Sequence, residues 1–154
     1  MGVRADAETL RRIPIFRDCE AVPLQVLSFA AERQRFDAGA LIIKENKASQ
    51  SAYFILDGTA QISRNGQVLG RAEPGALLGE TAMLGSGSYM ITAKAETIVY
   101  AAVIENELFK RVAREYPEFG EAVLAALSAK LGSSVDDLEK VRQLMNKAGD
   151  FSSL

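Results

Sequence analysis

The chain has no histidine and one cysteine, Cys19, in 154 residues. A lone cysteine cannot close an internal disulfide. Without histidine beside it, neither a zinc site nor a thiol nucleophile has residues to be built from. Cys19 therefore reads as a small packing residue. A general base would have to be a carboxylate or a lysine, and the one pair with any claim is Glu80 and Lys94. Lys94 falls on an outward strand position, so neither an enzyme nor a cofactor is expected. No run of apolar residues approaches the roughly 18 needed to span a bilayer. The start, Met1 to Asp6, turns polar at once and lacks the apolar centre of a secretory signal. Asp6 also stands where a myristoylation signal needs Ser or Thr. With a net charge of −2, bulk charge gives nucleic acid and membrane surfaces no long-range pull. What remains is a chain of ordinary composition, hydrophobic 48% and charged 25%, expected in the cytoplasm and read as a single domain over 1–154.

Asp6 can cap a short helix through Leu10 and Arg11, which must end before Pro14. Apolar residues spaced three and four apart from Val22 to Phe29 predict a second helix, so 6–30 forms a helical cap. From Ala31 to Ile104 the pattern changes to short β-branched and aromatic runs broken by turn residues about every ten positions, the pattern of a sandwich or jelly roll. Strands are predicted at Leu41-Ile42-Ile43, at Tyr53-Phe54-Ile55-Leu56 and over Thr97 to Ile104. Thr59 to Arg64 and Gln67 to Arg71 flank Asn65-Gly66, a dipeptide suited to a type I′ hairpin because both turn positions need positive φ. Glu105 begins a helix with Leu108, Val112 and Tyr116 on one face, and Pro117 suits the first turn of another. Leu124, Leu127, Leu131, Ser134, Leu138, Val141 and Met145 then alternate steps of three and four, a heptad seam for a partner helix or, in its first half, for packing on the chain's own sandwich.

The most informative stretch is Pro74 to Ala95. An apolar strand reaches Gly79-Glu80, one helical turn is expected from Thr81 to Leu84, Gly85-Ser86-Gly87-Ser88 forms a loop, and a strand resumes at Met90. Unpaired N–H groups at the helix start would make a cradle for an anion, and Glu80 adds one fixed carboxylate beside it. This stretch resembles the phosphate-binding cassette of the cyclic nucleotide-binding domain family. So do the motifs around it: Phe36-Asp37-Ala38-Gly39 with Ile43, Tyr53 to Gly58, Pro74-Gly75 and Gly79 to Leu84.

The resemblance implies a mainly β fold with flanking helices: a double-stranded β-helix, or jelly roll, of eight strands over 31–104 with the cassette at 75–95. A helical cap would precede it, and C-terminal helices over 105–147, including a dimerisation helix, would follow. It implies a non-enzymatic regulatory domain that binds cyclic AMP, cyclic GMP or a related small ligand. The implied contacts are Leu78, Gly79, Glu80, Thr81, Ala82, Ser88, Tyr89, Met90 and Ser134. Glu80 would hold a ribose hydroxyl, the amides of Thr81 and Ala82 would form the floor, and Ser134 on the long helix would reach the purine. The family's phosphate arginine, however, falls here at Tyr89, with Met90 beside it. Losing that charged, bidentate contact forfeits about 1.5–3 kcal/mol, roughly ten- to hundredfold in affinity. Two readings stay open: a site that binds a nucleotide weakly, or a different ligand that presents a hydroxyl to Glu80 and stacks on Tyr89; or a degenerate module that dimerises or docks on another protein while Tyr89 fills the vacated space. Tyr89→Arg is expected to restore the cation if the side chain faces the pocket, and to destabilise the fold if it is buried against Leu84 or Ile91. The family's transcription factors continue into a winged helix-turn-helix, which the residues beyond Val141 are too few to make, so no direct DNA binding is expected of this chain.

Overall fold

Asp6 caps the first helix as its position predicts. In the computed structural model, which describes residues 5–81 and 87–131, its Oδ1 accepts hydrogen bonds from the Thr9 backbone N (2.9 Å) and from Thr9 Oγ1 (2.8 Å) at the start of α1 (Ala7–Arg11). This satisfies a first-turn donor that the helix itself cannot. A 3-10 turn, Pro14–Phe16, leads to α2 (Ala21–Ala30), and the cap is complete.

Among the described residues eight strands follow: β1 (Glu32–Phe36), β2 (Leu41–Ile43), β3 (Ser51–Asp57), β4 (Ala60–Arg64), β5 (Gln67–Ala72), β6 (Leu77–Leu78), β7 (Thr92–Ala95) and β8 (Val99–Glu105). They form two antiparallel four-stranded sheets, ordered β1-β8-β3-β6 and β2-β7-β4-β5. The first sheet is covered on both faces. Ala52 and Phe54 of β3, with Ala102 and Ile104 of β8, pack on the helices, whereas Ile55, Val99 and Ala101 point between the sheets. That double burial is why β3 and β8 read as nearly unbroken apolar runs. The predicted last strand begins two residues late, because Thr97 and Ile98 turn the chain into it. β1, Glu-Arg-Gln-Arg-Phe, is a sheet edge exposed except at Phe36, which leaves no apolar alternation to betray it. The hairpin at Asn65-Gly66 is present with φ of 52° and 80°, the positive pair its turn type requires.

Helix α3 (Asn106–Glu115) follows β8, and α4 (Pro117–Leu131) starts at its proline. The buried face of α3 is Phe109, Val112 and Ala113; Leu108 and Tyr116, placed on it by sequence spacing, are only partly buried. The face is rotated because Phe109 fills the space against Phe119 of α4, with ring centroids 5.5 Å apart. Leu124 and Leu127 lie in the same core, at 5% and 0% exposure, so the first two positions of the heptad seam are used inside the chain. Its later positions, Ser134, Leu138, Val141 and Met145, lie outside the described residues. No described helix is long and apolar enough to cross a membrane.

Phe109→Ala should therefore cost about 3–5 kcal/mol in chemical denaturation, the usual scale for deleting a buried aromatic. Leu108→Ala should cost clearly less; equal losses would contradict the assigned face.

Candidate functional site

The two sheets open beside the turn that follows β6. Continuing the register Phe54↔Leu77 and Tyr53↔Leu78 would set residue 80 opposite Ser51, but the chain turns away at Gly79, whose φ is +69°. Ser51 is not left without partners. Tyr89 Oη donates to the Ser51 carbonyl at 2.7 Å and accepts from the Ser51 N–H at 3.2 Å. The phenol thus substitutes for the strand residue that the turn removed. Its ring also explains the glycine, since a Cβ at 79 would lie 2.8 Å from Tyr89 Cε1 and 3.2 Å from the Ser51 carbonyl, in a conformation L-residues rarely adopt. Tyr89 is 8% exposed. Its ring lies against Gly79 and its hydroxyl on the backbone of Ser51.

Residues 87–89 run along the loop after β2. Asn46 N donates to the Tyr89 carbonyl, Tyr89 N to the Lys47 carbonyl and Ser49 N to the Gly87 carbonyl, at 2.9, 3.0 and 3.1 Å, and Ala48 bridges Ser88. The strand expected to resume at Met90 resumes at Thr92, because the intervening residues are committed to this loop and to the inward ring of Tyr89. Glu80 and Thr81 form a 3-10 turn; the remainder of the turn predicted to Leu84 lies outside the described residues, as do Ala82 and Ser134.

Of the predicted contacts, the structure brings Leu78, Gly79, Glu80, Thr81, Tyr89 and Met90 around one hollow of about 370 Å³, together with Leu77, Ile91 and Arg64. That volume suits a small ligand. Ser88 is exposed and is not among the residues lining the hollow. Arg64 was not anticipated, although strand alternation from Ala60 and Ile62 carries the signal. A second hollow, of about 440 Å³, lies beside α3 and α4 and is lined by Asp18, Glu20, Glu115 and Glu118 without a cation, the wrong sign for a phosphate. Lys94 is exposed on β7 and does not meet Glu80 in the hollow. Among the described residues no group of acids and Cys19 is placed to hold a metal. Burial, with the Asp18 carboxylate adding and Arg11 opposing, pushes the Cys19 thiol up to about 11, so it stays protonated and unreactive near neutrality.

A model of the family described as Cyclic nucleotide-binding domain matches residues 33–116, from β1 to the end of α3. The chain belongs to that family. The cAMP-dependent protein kinase regulatory subunit of Yarrowia lipolytica is 26% identical over 105 residues, which are 67% of this chain and 28% of that protein. A solved cyclic nucleotide-binding-like protein from Brucella abortus shares 27% identity with a TM-score of 0.64, over 70% of this chain and 96% of its own. The N-terminal domain of a transcriptional regulator from Streptomyces coelicolor superposes with a TM-score of 0.73 at 21% identity, covering 83% of this chain and 95% of that one, a likeness of fold. The chain spans less than a third of the length of the curated relatives it matches. Family and neighbours agree with the two-sheet jelly roll and its flanking helices.

Tyr89→Phe should cost about 1–3 kcal/mol in denaturant unfolding, because it orphans a buried N–H and carbonyl of Ser51. A neutral result would mean that water replaces the phenol. Tyr89→Arg should destabilise at least as much, since a guanidinium there would be buried. Cys19 should react with a thiol reagent at about pH 8 far more slowly in the folded protein than in denaturant; equal rates would contradict its burial.

Proposed function

We propose that the chain is a non-enzymatic regulatory domain, one domain over 1–154, that binds cyclic AMP, cyclic GMP or a related small ligand weakly in the hollow beside Gly79 and Glu80. The observation that carries this reading is the turn at Gly79, which brings Glu80 and Thr81 to the open end of the jelly roll of a chain in the cyclic nucleotide-binding family. A carboxylate at that point can accept hydrogen bonds from the hydroxyls of a sugar. The relative in Yarrowia lipolytica, a regulatory subunit of a cAMP-dependent kinase, supports a regulatory rather than catalytic role. Weak binding follows from Tyr89: its hydroxyl is engaged by Ser51, and it brings no charge to a phosphate.

The reading takes the domain to be cytoplasmic, without direct DNA contact, and to pair with a second copy through its C-terminal helix. Of the predicted contacts, Ala82 and Ser134 belong to it as floor and roof. The engagement of Tyr89 favours one alternative, a module that has lost nucleotide binding and works by dimerising or docking.

Calorimetric titration with cyclic AMP and cyclic GMP into the millimolar range should give saturable binding whose affinity falls roughly ten- to hundredfold in Glu80→Ala, the scale of a charged hydrogen bond. No heat and no thermal shift with either nucleotide would leave the docking module in front. Light scattering at tens of micromolar should give a dimer mass; a monomer, unchanged on truncation after Gly132, would count against pairing.

A further inference from the structure

Arg64 ends β4, at the hairpin tip beside the cassette. Ala60 is fully buried between the sheets, and Ile62 packs against the same cluster, so alternation puts Arg64 on that inner face. The bulge nearby does not disturb this order. Ile62 pairs with Gly70 and Ser63 with Val68, so the extra residue, Leu69, belongs to β5. At the end of the strand the inner face opens, and there Arg64 lines the same hollow as Gly79, Glu80, Thr81 and Met90. Among the described residues lining it, Arg64 is the one cation.

The guanidinium is held, not merely nearby. Its Nε donates to the Met90 carbonyl at 3.0 Å, and the two terminal nitrogens have no hydrogen bond or ion pair among the described residues. The strand end beneath it is also tied down: the Asn65 N–H donates to both oxygens of Glu45 at 3.1 Å, and Glu45 Oε1 accepts from Thr92 Oγ1 at 3.2 Å. One edge of the fork is thus anchored to the cassette's return while the other is open to a ligand. A planar guanidinium in that state suits two oxygens of a phosphate.

We infer that Arg64 is the anion-binding residue of this site, so that the hollow takes a ligand carrying both hydroxyls, met by Glu80, and a phosphate, met by Arg64. The inference rests on the nucleotide reading above. It supplies from strand β4 the charge that Tyr89 does not bring. Because Arg64 is exposed, its attraction should be screened by salt, and the site should lose its preference for phosphorylated ligands as ionic strength rises.

The test compares cyclic AMP with adenosine, which lacks the phosphate, on the full chain as wild type, Arg64→Gln and Arg64→Lys, each checked for folding by its melting transition. The wild type should prefer cyclic AMP. Arg64→Gln should reduce that preference about ten- to hundredfold and flatten its salt dependence, with Arg64→Lys between the two because it keeps charge without the fork. An unchanged preference in a folded Arg64→Gln, or in Arg64→Lys should Gln fail to fold, overturns the role of Arg64 and leaves the nucleotide reading standing. A wild type that binds neither compound overturns both. One that binds the two equally rejects the phosphate contact alone.

Discussion

The two hydrogen bonds between the Tyr89 hydroxyl and the backbone of Ser51 are the contact on which the site depends. Strand β6 is only two residues long, and its early end would orphan an N–H and a carbonyl at the buried start of β3. A phenol is one of few side chains that can donate and accept at one atom while filling a hydrophobic gap. By serving Ser51, Tyr89 lets β6 stop at Leu78, and the turn then places Glu80 at the open end of the jelly roll. The ring then occupies the space beside residue 79, and glycine becomes the residue that fits. Burial also keeps the neighbouring phenol protonated: desolvation pushes Tyr53 up, Tyr89 and Glu105 add to the shift, and a hydrogen bond with Ser51 opposes it.

The same contact sets the electrostatics of the hollow. A residue committed to the backbone of β3 cannot also meet a ligand's charge, so any cation must come from another element. The tip of the β4–β5 hairpin is the element at hand, anchored through Glu45 and the Met90 carbonyl. Acid and base then face the hollow from different parts of the fold, Glu80 from the turn and Arg64 from the opposite sheet. A ligand bearing hydroxyls at one end and an anion at the other matches that polarity better than an apolar or cationic one.

Features encoded by neighbouring residues were legible in the sequence. Asp6 before its helix, Asn65-Gly66 between two strands and Pro117 at a helix start carry their own geometry, and the glycine and apolar pattern of Tyr53 to Gly58 and Gly79-Glu80 carried the family. Features set by residues far apart were not. Ser51 and Tyr89 are 38 positions apart, so nothing local said that the phenol would turn inward. Polar β1 is a strand because β8 pairs with it, and the buried face of α3 is chosen by Phe119 on the next helix. The inner-face position of Arg64 follows from simple alternation, yet gains meaning only once the hairpin tip is known to lie against Met90.

The most direct measurement of the central claim is backbone amide chemical-shift mapping by NMR during addition of cyclic AMP. The account predicts saturable shifts centred on Gly79, Glu80, Thr81 and the strand end at Arg64 and Asn65, with Ser51 little moved because its partner stays in place. Shifts confined to the acidic hollow beside α3 and α4, or none at millimolar nucleotide, would contradict it.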